Sequence, residues 1–432
     1  MPSKADLLVT GATVITPEVA ISGGAVAVSA GKICYVGVPA GAPAAARTVE
    51  FEDGYLLPGF VDLHCHGGGG CDATFGRYDP ETRAFSPTER NLAAAAREIA
   101  SVHLARGTTT ICLATCAAAE PDLLRALSAV GGAVEAGGLP SRVLGINLEG
   151  TYLKTPAFAG AQNPENFRTP SPADFDRLNA AARGRIRIVN VAPEHGPAAV
   201  ELVRHLVARK VVAASGHTGA DFAEMQACID AGVTLAVHFS NGPSATSFKP
   251  PGMAMEAMLG DRRVTLELIA DGYHINPRYL LSFLAAKGFR GALITDAMAP
   301  LGLEGVTSFA FGGKTGQLSA DGGVLRLAGS ATVLFGSVLT MDRAVANLVK
   351  WLVDGVPGMY QNAPVIPDRP MKEEALVPAS RLASGHPAEV LGLRDRLGAI
   401  EQHLLADLVW LDEDLAARRV WLEGREVDSG GD

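Results

Sequence analysis

The chain of 432 residues is poor in the features that mark several protein classes. Its six cysteines, Cys34, Cys65, Cys71, Cys112, Cys116 and Cys228, form no CxxC pair and are too sparse for a disulfide scaffold. They read as reduced thiols. No run of Lys and Arg occurs and the net charge is −9, which argues against nucleic acid or an anionic membrane surface as a partner. No apolar stretch is long enough to span a bilayer. The opening residues Met1-Pro2-Ser3-Lys4-Ala5-Asp6 lack a signal-peptide core, so a cytoplasmic location is expected. No GxGxxG follows the first strand of the central region, which weakens the reading of an open, doubly wound nucleotide-binding sheet. No internal repeat or low-complexity tract is present.

What remains is an ordinary globular composition, 48% apolar and 19% charged, with 49 glycines to supply tight loops. The length suits a barrel of about 250 residues or more plus an accessory domain. Residues 1–57 and the tail read as short strands with turns, which predicts one small β-sandwich domain built from both termini, 1–57 with 375–432. Between them, residues 58–374 alternate apolar β-rich runs with Ala-rich helical stretches. The runs cover 59–63, 108–115, 143–148, 186–191, 211–215, 234–238, 264–269 and 292–295. Helical stretches such as 91–105, 121–136, 198–208, 221–231 and 277–286 lie between them. Eight βα units predict an α/β fold, a (β/α)8 TIM barrel.

In such a barrel the chemistry sits at the C-terminal ends of the strands. The ends carry His64-Cys65-His66, Glu149, His217, His238, the pair Asp271 and His274, and Asp296. His64 and His66 point the same way because the side-chain period of a strand is two. Four of ten histidines and two carboxylates would therefore converge on one mouth, a donor set suited to zinc or a related divalent metal. Read singly, each has a plainer use: a salt bridge for Glu149, a satisfied core histidine for His217 or His238, a helix cap for Asp296. His103, His205, His386 and His403 read as structural, His195 as a loop residue, and Met253, Met255 and Met258 as helix core.

The stretch Leu57-Pro58-Gly59-Phe60-Val61-Asp62-Leu63-His64-Cys65-His66-Gly67 resembles the opening barrel strand of the amidohydrolase superfamily. Asn147-Leu148-Glu149-Gly150, Gly160-Ala161-Gln162-Asn163-Pro164, Ser215-Gly216-His217-Thr218, His238-Phe239-Ser240-Asn241, Ala270-Asp271-Gly272-Tyr273-His274, Thr295-Asp296-Ala297-Met298-Ala299-Pro300 and Leu339-Thr340-Met341 follow in order. Together they resemble the N-acetylglucosamine-6-phosphate deacetylase family. The resemblance implies metal-dependent hydrolysis of the N-acetyl group of an amino-sugar phosphate by a homodimer. It implies Glu149, His217 and His238 as ligands of a principal metal and His64 and His66 as ligands of a second. Asp296 becomes the catalytic acid and base. Gln162, Asn241, Gly242, Lys249, Asp271, Gly272, Tyr273 and His274 fall in the substrate-binding loops.

Three departures bear on the substrate. Asn147 and Thr151 flank Leu148-Glu149-Gly150 where the family has His and Pro. Asn241-Gly242-Pro243 replaces the family's Asn-Ala-Met. Lys249, ahead of Pro250-Pro251-Gly252, replaces a phosphate-binding Arg and offers a cation without the bidentate fork. These support an alternative in which another N-acyl amino sugar or N-acyl amine is deacylated without need of the 6-phosphate. Two stretches, Leu327-Ala328-Gly329 and Leu334-Phe335-Gly336, match one substrate-loop motif. A non-catalytic barrel would lack a ligand or the strand-8 Asp, and neither is missing.

Overall fold

A computed structural model describes residues 4–241, 244–247, 249–311, 314–330, 333–356 and 369–427. Its centre is an eight-stranded parallel sheet: β1 (Phe60–Cys65), β2 (Thr108–Ala114), β3 (Arg142–Tyr152), β4 (Ile186–Val191), β5 (Val212–Ser215), β6 (Val233–Ala236), β7 (Thr265–Ile269) and β8 (Ala292–Ile294). Each strand pairs with the next in sequence order. The ring is closed just past β8, where Asp296 N donates to His64 O at 2.8 Å and the Thr295 hydroxyl donates to Asp62 Oδ2 at 2.5 Å. The fold is a (β/α)8 barrel, as the spacing of apolar runs predicts. The runs read as near-continuous apolar segments because both faces are buried, one by the lumen and one by the helices. β2 and β8 are buried throughout.

Two further sheets form the small β domain. One contains Lys32–Gly37, Ala25–Ser29, Ala5–Thr10 and Ala45–Glu50. The other joins Arg425–Val427, Ala417–Leu422 and Leu408–Leu411 to Tyr55–Pro58, Thr13–Ile15 and Ala20–Ile21. Leu408–Leu411 runs antiparallel to Tyr55–Pro58, so the tail is stitched to the segment that leads into β1. Leu7, Val9, Val26, Ile33, Leu56 and Trp421 fill the space between the sheets. Each such side chain contributes about 1.5–3 kcal/mol on burial.

The helix Met341–Val353 follows the barrel, and residues 372–390 are helical and pack against β1, β8 and the strand Thr13–Ile15. The structure adds two elements absent from the strand count above. Residues 67–86 fold into short antiparallel strands beside β1. Ser308–Phe311, Lys314–Leu318, Val324–Leu327 and Leu334–Ser337 form a four-stranded antiparallel sheet after β8. Phe309 and Phe335, with ring centroids 5.6 Å apart, pack it onto Met298 and Tyr78 beside the barrel mouth. Among the described residues no helix is long and apolar enough to cross a membrane.

Candidate metal centre and active-site cavity

β1 sends Asp62 and His64 down one face, as the two-residue period requires, and His66 follows directly after its last residue, Cys65. Glu149 projects from β3, His217 follows β5, His238 follows β6 and Asp296 follows β8. His217, His238 and Asp296 have φ of 52°, 26° and 50°, the left-handed region that non-glycine residues avoid. Such strain is held where surrounding structure over-determines it, commonly at functional sites. Here three chain reversals aim three side chains at the barrel axis instead of along the strand.

The atoms meet closely. Glu149 Oε1 lies 3.1 Å from His217 Nε2 and 3.0 Å from His238 Nε2. Glu149 Oε2 lies 3.5 Å from His66 Nε2, and the two β1 rings approach at 3.3 Å between Nε2 atoms. Asp296 Oδ1 is 3.3 Å from His66 Nε2 and 3.7 Å from His64 Nε2. Glu149 thus belongs to two groups of metal-ligand geometry, one with His217 and His238 and one with His64 and His66.

Every ring is anchored at its outer nitrogen. His64 Nδ1 donates to Glu267 Oε2 at 3.1 Å, His217 Nδ1 to Phe158 O at 2.9 Å and His238 Nδ1 to Asn241 O at 3.1 Å. His66 Nδ1 lies 3.3 Å from Cys116 Sγ. With Nδ1 engaged, each Nε2 turns a lone pair inward, toward carboxylate oxygens that also carry lone pairs. Only a proton or a cation between them makes that arrangement stable. Metal-ligating histidines are held in this way by outer partners, so the residues present fit one or two divalent cations.

Titration points the same way. Burial would lower His238, but Glu149, Asp296 and Glu267 overcome it and carry the ring up to about 9. Burial would lower His66 as well, and Cys116, Asp296 and Glu149 lift it well above the ordinary imidazole range. Burial would raise Asp296, yet the hydrogen bond from His66 and the charges of His64, His66 and His238 hold it at about 2. The cluster of carboxylates calls for positive charge, and it favours the protonated forms of His64, His66 and His238.

The sequence matches the amidohydrolase family over residues 55–428. The chain belongs to that family. It is 32% identical to the N-acetylgalactosamine-6-phosphate deacetylase of Escherichia coli O157:H7, over 89% of this chain and 90% of that one. It is 30% identical to the N-acetylglucosamine-6-phosphate deacetylase of Bacillus subtilis strain 168, over 94% and 93%. A solved structure of the N-acetyl-D-glucosamine-6-phosphate deacetylase of Mycobacterium smegmatis, in complex with N-acetyl-D-glucosamine-6-phosphate, is similar with a TM-score of 0.81. It has 32% identity, with 98% and 99% of the two chains covered. The chain is thus a hydrolase of the amidohydrolase family, similar to amino-sugar-6-phosphate deacetylases, and the family implies a divalent metal.

A cavity of about 820 Å³ opens over the cluster. Gln162, Asn241, Tyr273 and His274 line it together with His66, Glu149, His217, His238 and Asp296. The Gln162 carboxamide is engaged on both sides: Nε2 donates to Glu149 Oε2 at 2.5 Å and Oε1 accepts from Ala117 N at 2.7 Å. Its observed contacts therefore hold Glu149. Asp271 holds His274 Nδ1 at 2.5 Å, and the Tyr273 hydroxyl donates to Asp321 of the inserted sheet. Gly272 is exposed beside Trp351. Lys249 is exposed and does not line the cavity of its own chain. Gly242 lies outside the described residues. Of the two similar stretches, Leu334-Phe335-Gly336 lines the cavity and Leu327-Ala328-Gly329 does not. Met255 packs against the core from its helix, as expected, and also lines the cavity, and Met258 is buried. The bystander histidines bond elsewhere, His103 to Gly67 O, His205 to Asp176 and His195 to Leu153 O.

Sequence reasoning passed over Glu267 and Cys116. Glu267 did carry a signal, as the one charged residue inside the apolar run Val264-Thr265-Leu266-Glu267-Leu268-Ile269. A carboxylate is costly in such a strand unless it has a partner. Cys116 stands in a small-residue stretch and carried none.

Proposed function

We propose that the protein hydrolyses the N-acetyl group of N-acetylglucosamine-6-phosphate to glucosamine-6-phosphate and acetate. The observation that carries this reading is the ring of four inward-facing Nε2 atoms around Glu149, with the Asp296 carboxylate alongside. Glu149, His217 and His238 would hold one divalent cation, and His64, His66 and Glu149 another. Zinc suits this donor set. A cation there supplies Lewis acidity, polarising an amide carbonyl and making water acidic near neutral pH. Asp296, an ionised carboxylate beside the cluster, accepts the proton of the attacking water. The water oxygen bonds to the acetyl carbon, the C–N bond breaks, and Asp296 returns the proton to the departing amine nitrogen. Gln162 keeps Glu149 oriented. Asn241, Tyr273 and His274 contact the sugar, with Asp271 and Gly272 shaping the same loop.

The described lining of the cavity contains no Lys or Arg, so the phosphate needs a cation from elsewhere. A homodimer in which the Lys249 loop reaches the neighbour's cavity supplies one. Eight similar curated proteins have names that specify a 6-phosphate, which weighs against the phosphate-independent alternative. Two of them are N-acetylgalactosamine-6-phosphate deacetylases, which makes the C4 epimer the second reading. A cytoplasmic setting fits a phosphorylated substrate.

Amine release from N-acetylglucosamine-6-phosphate is the test, run beside N-acetylgalactosamine-6-phosphate and unphosphorylated N-acetylglucosamine. Fast, phosphate-dependent turnover of the first, with a raised KM in Lys249→Ala, is expected. Equal turnover with and without the phosphate sinks the substrate assignment, and preference for the epimer replaces it with the second reading.

A further inference from the structure

Glu267 lies at the floor of the cluster, fully buried on β7. One oxygen, Oε2, accepts from His64 Nδ1 at 3.1 Å and from His238 N at 3.0 Å. The other, Oε1, is buried with no hydrogen-bond partner. A single carboxylate oxygen thus ties the His64 side of the centre to the strand end that carries His238. The remaining rings are anchored by neutral groups, the carbonyls of Phe158 and Asn241 and the thiol of Cys116. Of the four rings, His64 alone has a carboxylate on its outer nitrogen. Such a partner fixes the ring's tautomer and orientation and makes its inner nitrogen a stronger donor.

We propose that Glu267 is a positioning residue that sets how tightly the His64–His66 half of the centre holds its cation. This rests on the reading of the histidine cluster as a metal centre. Asp62, the other buried carboxylate nearby, serves the barrel instead. Both its oxygens accept from Thr295, and Oδ1 also from His64 N, which closes the ring of strands. Glu267 makes no such closing contact, so the loss of its charge acts first on the ring it holds. In Glu267→Gln the carbonyl oxygen can still accept both hydrogen bonds, but it cannot polarise the imidazole as an anion does.

The experiment is Zn²⁺ titration of the metal-stripped full chain by calorimetry, for wild type, Glu267→Gln, Glu267→Asp and the reference variant His66→Gln. Wild type should bind two ions, and His66→Gln should lose one, which identifies the His64–His66 half. Glu267→Gln should weaken that same class by roughly 10–100-fold and leave the other near its wild-type affinity. Glu267→Asp keeps the charge on a shorter arm and should weaken the same class; it also stands in if the Gln variant does not fold. Both classes at wild-type affinity in the Gln and Asp variants, or an equal loss from both classes, overturns the role of Glu267. A wild type whose ion count is unaffected by His66→Gln overturns the reading of the centre itself, a result distinct from the other two.

Discussion

Asp296→Asn separates chemistry from scaffold. The residue sits at φ 50°, a conformation in which Asn is among the better-tolerated side chains, so the turn after β8 survives the change. The carboxamide has nearly the same volume and keeps an oxygen near His66 Nε2, 3.3 Å away in the native chain. What disappears is the ionised carboxylate of the cluster that is free to move a proton, since Glu149 is bound by His217, His238 and Gln162. General acid–base catalysis contributes about 10²–10⁴-fold. Because the proposed mechanism gives one group both proton transfers, the upper part of that range applies, about 4–5 kcal/mol of activation barrier at 1.36 kcal/mol per tenfold. The metal-stripped variant also loses native-state stabilisation. Asp296 falls from an ordinary 3.8 to about 2 in the fold. A depressed carboxylate stabilises above its unfolded pKa and loses that contribution as pH drops through its folded value, here about 2 kcal/mol at neutral pH. Turnover of the sugar phosphate, bound metal per chain and the melting temperature of the stripped protein are measured together. A variant that carries its full metal and still deacetylates within tenfold of wild type would refute the role of Asp296.

Three further outcomes follow from the same geometry. Cation binding to the stripped protein should release protons and tighten from pH 7 toward pH 9, because His238 holds its proton up to about 9 and must lose it to become a ligand; calorimetry in buffers of different ionisation enthalpy reads this, and a pH-independent affinity contradicts it. Gln162→Leu strands the Ala117 N–H and one oxygen of Glu149, which should cost about 1–3 kcal/mol in a denaturant midpoint and lower metal content. Gly336→Ala places a Cβ 2.5 Å from Met298 Cγ at a φ of +116°, so the cavity wall must shift; KM should rise more than kcat falls, and unchanged kinetics would show that this wall does not meet the substrate.

Much of the site was legible because its residues are local to strand ends. His64-Cys65-His66 after an apolar run, a lone Glu149 ending another, and His217, His238 and Asp296 each closing a third announce themselves through periodicity and composition alone. The eight strands were legible for the same reason: burial on both faces leaves near-continuous apolar runs, and the alternation with helices leaves little choice of topology. The inserted sheet was not legible, because Ser308–Phe311 through Leu334–Ser337 are short strands whose buried side rests on Met298 and on Tyr78, the latter far from them in sequence. The choice between Leu327-Ala328-Gly329 and Leu334-Phe335-Gly336 depended on that packing.

The sequence by itself determined which donor atoms the chain owns and which strand end each one rides on, since a two-residue period and a strand–helix alternation are properties of neighbouring residues. Tertiary structure decided how they are used. It turned the Gln162 carboxamide onto Glu149, set Glu267 under two histidines, left Lys249 outside its own cavity, and bent His217, His238 and Asp296 into left-handed turns. The longest-range of those contacts, between His64 and Glu267, holds a distance of 3.1 Å between groups 203 residues apart. Only closure of the whole barrel sets such distances, because each is the sum of the register and tilt of every strand between the two residues.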